Sequence, residues 1–175
     1  DRFEEARDDL EYFRGPGATL VFPEPDTLPY DPSSPHPGIT AQRLETLGRL
    51  ARERTGGTAR PGLVLATVRG LLQKVPRPDR LARALLELRV GHDHDPGALM
   101  ERLVFMGYER LPEVESVGHF ARRGGILDLY AAGLADPLRL EFDGETLVSL
   151  RRFDASTQRS LEQLPAATVL PRYEV

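Results

Sequence analysis

Between Phe120 and Phe153 apolar and polar residues alternate in stretches, and Gly124-Gly125 and Asp143-Gly144 break the pattern. Period-two alternation sends successive side chains to opposite faces of a strand, and the breaks supply the backbone freedom that chain reversal needs. The pattern predicts one antiparallel sheet. Asp143-Gly144 is its tight hairpin, between strands at 138–142 and 147–153, and Arg123-Gly124-Gly125 is a turn or bulge between two others. Arg123 and Arg139 stand in this sheet with no nucleophile, metal cluster or phosphate loop nearby. A sheet face that displays arginine without catalytic company suits holding a partner better than transforming a substrate.

On the amino-terminal side of that sheet, residues 86–90 read as a strand. Asp95 then caps a helix with Pro96 at its first position, Leu99, Leu103 and Met106 line one face, and Gly107 closes it. A last strand falls near 168–170. This half is α+β, one main helix packed on an antiparallel β-sheet of four or five strands.

The first half has a different rhythm. Phe3, Ala6, Leu10 and Phe13 recur at helical spacing, and Gly15-Pro16-Gly17 stops that helix. Residues 18–22 read as a short buried strand, and the six prolines from Pro23 to Pro37 exclude regular structure. A helix follows, with Thr40 as N-cap and Leu44, Leu47 and Leu50 or Ala51 on its inner face, and Gly56-Gly57 ends it. A second apolar strand at 62–68 leads into a small helix at 69–75. Strands alternating with helices are the mark of an α/β layer with parallel strands, so the expected fold class is α/β plus α+β. Two such strands make an incomplete sheet, which points to a chain cut from something larger. Pro76-Arg77-Pro78 is the internal boundary.

Composition narrows the function classes. The net charge of −4 and pI near 5.6 leave no global positive field to draw the chain onto nucleic acid. A DNA-binding module is the alternative reading, and it would show affinity that falls steeply with salt. There is no cysteine, which excludes disulfides, thiolate zinc sites and cysteine nucleophiles and fits a cytoplasmic setting. No segment approaches the roughly 18 uninterrupted apolar residues of a membrane span. Lys74, the only lysine, is followed by valine, and no Walker A or Walker B pattern is present, so the chain is not expected to hydrolyse nucleotides. His92-Asp93-His94-Asp95 is a weak metal candidate, because adjacent loop positions point in different directions and Asp95 already has a capping role. Ser116, His119 and Asp128 assemble a hydrolytic triad only on paper, with no elbow motif to present the serine. No metal or cofactor is expected. Asp154, three residues before Thr157, caps its own turn.

Arg123 and Arg139 admit two readings. Each neighbours an apolar strand rather than standing on a helix, so no helical i,i+4 pairing with a carboxylate explains it. One reading is a cross-strand pair with Asp128 or Glu141. The other is an arginine-and-aromatic patch that docks an acidic partner surface.

Several separate motifs occur in the order found in the bacterial transcription-repair coupling factors (Mfd). They are Leu28-Pro29-Tyr30-Asp31, Ser34-Pro35-His36, Arg43-Leu44, Gly107-Tyr108, Arg123-Gly124-Gly125-Ile126-Leu127-Asp128, and Phe153-Asp154 through Thr157-Gln158-Arg159-Ser160. From about Ala18 to Tyr173 the chain resembles the amino-terminal module of that family, which is itself similar to the excision-repair protein UvrB. The resemblance implies a partial, degenerate RecA-like parallel α/β layer at 1–78. It implies a second domain at 79–165 that binds the damage-recognition ATPase UvrA, and a return segment at 166–175. It places Arg123 and Arg139 on the UvrA-binding surface, followed by a phenylalanine. That phenylalanine lies four residues after the second arginine in the family, where this chain has Asp143, so Phe142 sits one position early. A register shift or bulge would restore its direction. UvrB clamps damaged DNA with an aromatic-rich hairpin, for which Pro29 to Pro37 is too short. The implied function is recruitment of UvrA to stalled RNA polymerase in transcription-coupled nucleotide excision repair, with the ATP-dependent motor that engages RNA polymerase and DNA in other domains of the parent. Removing either arginine is then expected to weaken UvrA binding and leave folding nearly unaffected.

Overall fold

The structure, a computed structural model, describes residues 2–15, 18–27, 35–54 and 63–174, side chains at 52–54 excepted. The Leu28–Asp31 motif, Ser34, Pro16-Gly17, the Gly56-Gly57 break and Gly62 lie outside the described residues. The chain divides into two compact units, one comprising residues 1–83 with 174–175 and the other residues 84–173. No helix among the described residues is long and apolar enough to cross a membrane.

In the first unit, helix α1 spans Arg2–Arg14 and strand β1 spans Thr19–Phe22, with all four strand residues buried. Helix α2, Pro37–Arg54, packs on β1, and its Ala41, Leu44 and Ala51 are buried. It begins before the expected cap. His36 takes that role, its Nδ1 accepting from the Gly38 N–H (3.1 Å), and Thr40 lies buried inside the helix. Strand β2, Leu63–Ala66, pairs parallel with β1 in register Thr19–Leu63. Helix α3, Val68–Leu71, follows with Thr67 as its N-cap, a shorter helix than the expected 69–75. Helix α4, Pro78–Ala84, occupies a stretch where the prolines suggested only a boundary. Proline at the first position of a helix forfeits no hydrogen bond, because that N–H has no partner in any case.

Among the described residues of this unit Arg43 is the largest buried polar one, with 1% of its side chain exposed. Its guanidinium pairs with Glu174, donates to the Pro23 carbonyl (2.8 Å) and lies 4.3 Å from the centre of the Phe22 ring. A buried guanidinium is tolerated only when its donors are met, and here a backbone carbonyl and a carboxylate from the far end of the chain meet them.

In the second unit, β3 (Leu86–Arg89) pairs antiparallel with β10 (Ala166–Val169), placing Leu86 opposite Val169. Between them run helix α5 (Pro96–Phe105) and a six-stranded sheet in spatial order β4 to β9. Its strands are β4 (Glu109–Arg110), β5 (His119–Arg123), β6 (Ile126–Leu129), β7 (Leu138–Asp143), β8 (Thr146–Phe153) and β9 (Ser160–Gln163). All neighbours are antiparallel except β4 and β5. The sheet is larger than the four or five strands expected. The turns fall at Gly124-Gly125 and at Gly144, whose φ of 62° suits glycine.

One face of this sheet carries Phe120, Leu127, Leu129, Leu138, Leu140, Leu147 and Leu150, which form the core with Leu99, Leu103 and Met106 of α5. Leu147 and Leu150 are three apart yet both buried, which strict alternation forbids. A bulge reconciles them: Glu141 faces Ser149 and Phe142 faces Leu147, leaving Val148 as the extra residue.

Tyr108 ties the residues that follow β10 to this core. Its hydroxyl donates to the Leu170 carbonyl (2.6 Å) and accepts from the Ala132 N–H (3.0 Å), all within buried surroundings. Burial pushes its pKa up to about 12, because the phenolate would lose its hydration. Tyr108→Phe leaves two buried backbone groups unsatisfied and is expected to cost about 1–3 kcal/mol in denaturant unfolding. The unfolded tyrosine ionises near pH 10, so the tyrosine's contribution is complete below that value and falls away as pH rises toward about 12. The difference between wild type and Tyr108→Phe is therefore expected to shrink across that alkaline window.

Candidate protein-interaction site

Residues directly opposite one another on paired strands share a face. One row across the sheet is Ala121, Asp128, Arg139, Arg151 and Gln163, and the next is Arg123, Ile126, Glu141 and Ser149. Both rows lie on the side away from the leucine core. The fold thus brings Arg123 and Arg139 onto one face. Phe142 falls on the other, on the side of Leu138 and Leu140, where it is half-buried against the core. The register shift beside Phe142 is present, but its extra residue is Val148 on β8, so Phe142 keeps its inward direction.

The two arginines have different environments. Arg123 is 61% exposed and pairs at 2.7 Å with Glu113, itself 68% exposed. Arg139 is 17% exposed, its Nε and Nη2 gripping both oxygens of Asp128 at 2.7 and 2.8 Å. Its Nη2 also donates to Gln158 Oε1 (2.7 Å), and the guanidinium lies 4.3 Å from the centre of the fully buried Phe153 ring. The hydrogen bond and charge of Asp128 hold the Arg139 pKa above its ordinary value despite burial. Of the two readings left open, the cross-strand pair is the arrangement seen for Arg139, with Asp128 rather than Glu141 as its partner. Glu141 pairs with Arg151.

Beside Arg139, residues 154–159 form the turn between β8 and β9. Asp154 Oδ1 accepts from the Ser156 N–H (2.9 Å), the Ser156 hydroxyl (2.6 Å) and the Thr157 N–H (2.7 Å). The expected Asx-type cap is thus in place. These bonds, the Ser156 hydroxyl first, draw the Asp154 pKa down to about 2. Ile126, at 37% exposure, adds an apolar point to the same face as Arg123. Gly125 sits below it, where an added Cβ would meet the Phe142 carbonyl oxygen at 2.9 Å.

The remaining sequence candidates do not converge on chemistry. Asp95 caps α5 by accepting from the Gly97 N–H (2.7 Å), and Asp93 accepts from the Thr146 hydroxyl (2.7 Å). Among the described residues no group of three or more His, Asp or Glu side chains is placed to hold a metal ion. Ser116 Oγ lies 3.3 Å from His119 Nε2, but Asp128 is committed to Arg139 and orients no imidazole.

The expectation that Arg139 can be removed without affecting folding fails, because its loss would strand a buried carboxylate. Arg139→Ala is expected to cost on the order of 3 kcal/mol in chemical denaturation. Asp154 acts in the opposite pH range to Tyr108: its folded pKa is depressed, so its contribution is complete above the ordinary carboxylate range and is lost as pH falls toward about 2. Acid titration of Asp154→Ala beside wild type is expected to show curves that converge at the acid end.

The family described as the UvrB interaction domain matches residues 86–174, just over half of the chain and nearly all of the second unit. The transcription-repair-coupling factor of Myxococcus xanthus is 40% identical over 183 aligned residues, covering 98% of this chain and 15% of that protein. Its counterparts in Escherichia coli and Bacillus subtilis are 36% and 32% identical, over 85% and 96% of this chain and 12% and 14% of their own lengths. The chain therefore spans about one-seventh of the length of the curated relatives it matches. On the match across its second unit, the chain belongs to the UvrB interaction domain family.

Proposed function

We propose that this chain is the docking module of a transcription-repair coupling factor and that it binds UvrA, recruiting it to stalled RNA polymerase. The observation that carries the reading is the position of Arg123. Its guanidinium is exposed beside Ile126 on the sheet face opposite the leucine core, within the residues of the family match. A carboxylate on UvrA can replace Glu113 there, forming a charge-assisted hydrogen bond flanked by an apolar contact.

Arg139 serves the same face with its remaining exposed edge, and Phe142 supports it from the core side through the backbone contact between β7 and Gly125. The first unit is read as part of a degenerate RecA-like layer, supported by its parallel β1–β2 pair with α2 packed against it. Contacts with RNA polymerase and DNA, and ATP-driven translocation, are assigned to other domains of such a protein.

The test is the affinity of purified UvrA for this chain and for Arg123→Ala, measured beside melting temperatures. An exposed pair such as Arg123–Glu113 contributes only about 0.2–1 kcal/mol to folding, so the melting temperature should barely move. Binding should weaken by roughly 2 kcal/mol, the loss expected of an interface anchor. Unchanged affinity would refute the assignment.

A further inference from the structure

Gln158 is the only non-glycine residue with positive φ among the described residues, at 60°. Such a conformation is disfavoured for a residue with a Cβ, and glycine would adopt it freely. What glycine lacks is the side chain, and here both ends of the amide are engaged. Oε1 accepts from Arg139 (2.7 Å) and Nε2 donates to the Ala155 carbonyl (2.9 Å). The backbone is closed as well, with the Gln158 N–H bonded to the Asp154 carbonyl (2.8 Å) and the Asp154 N–H to the Arg159 carbonyl (2.9 Å).

The turn is thus fastened from inside by Asp154 and from the sheet by Arg139, yet Ser156, Thr157, Gln158 and Arg159 are all exposed. Fastening exposed polar residues adds nothing to the core, but it removes the conformational entropy that a partner would otherwise have to quench. The Arg159 guanidinium pairs with no described residue, in contrast to Arg123, Arg139, Arg151 and Arg152, each of which has an acidic partner.

We propose that the 154–159 turn is a second contact element for the acidic partner surface that Arg123 engages, with Arg159 as its charged contact and Arg139 as the positioning residue that holds the turn through Gln158. This rests on the reading of the chain as a UvrA-docking module. Arg139 then acts on binding mainly by fixing Arg159, and the two positions are energetically coupled.

Purified UvrA binding to the whole chain tests this with Arg123→Ala, Arg159→Ala, Arg139→Lys and the double variant of the last two. Lysine keeps the charge beside Asp128 but cannot form the fork that also reaches Gln158. Arg159→Ala should weaken binding by about fivefold or more with an unchanged melting temperature. Arg139→Lys should also weaken it, and adding Arg159→Ala to Arg139→Lys should cost much less than it does alone. If Arg159→Ala binds as tightly as the parent while Arg123→Ala binds weakly, the turn is no contact element and the inference is overturned with the docking function intact. Fully additive losses overturn the positioning role. If neither Arg123→Ala nor Arg159→Ala changes affinity, the docking function itself fails and the inference fails with it.

Discussion

Burial of a leucine seam against a single helix is what the second unit depends on. Leu127, Leu129, Leu138, Leu140, Leu147 and Leu150 can meet Leu99, Leu103 and Met106 only if every strand keeps its phase. A slip of one residue would send the apolar set to the opposite side. The bulge at Val148 shows how strong that demand is, since the ladder gives up one residue's pairing so that Leu147 and Leu150 can both be buried. Satisfying the seam on one side leaves the other side free for polar chemistry, and that is where the arginines stand.

Two guanidinium groups of the same charge on the same face have opposite physical roles. Arg139 is mostly withdrawn from water, and the desolvation of such a group is offset only by acceptors that meet its N–H donors and by a ring beneath it. Arg123 stays hydrated beside a hydrated Glu113, so its partner can be exchanged at small cost. The strength of a pair in the free chain therefore runs opposite to its availability for recognition.

Local signals were legible in the sequence. Asp95-Pro96 at the start of α5, Asp143-Gly144 at the hairpin, and the Asp154 turn all depend on residues within a few positions of one another. Features that depend on distant residues were not legible. Nothing near Arg43 foretells its burial, because Glu174 lies 131 positions away. The choice of Asp128 over Glu141 for Arg139 follows from a register that the β5–β6–β7 ladder sets as a whole. Strand β9 is exposed at all four positions and has no alternation to betray it, and α4 was hidden because Pro78 reads equally well as a break or as a first helical residue. Placing both arginines in a sheet followed from alternation, whereas their different exposure required the third dimension.

The antiparallel pairing of β3 with β10 sets the opening and closing strands of the second unit side by side, Leu86 against Val169. Paired positions of this kind lie about 5 Å apart, so the opening and closing strands of a folded body of nearly ninety residues stand within a short loop's reach of each other. Setting a body of this kind into any other chain would cost that chain the entropy of closing a few residues rather than dozens. A module with such a doorway can be carried from one scaffold to another without asking the scaffold to rebuild itself.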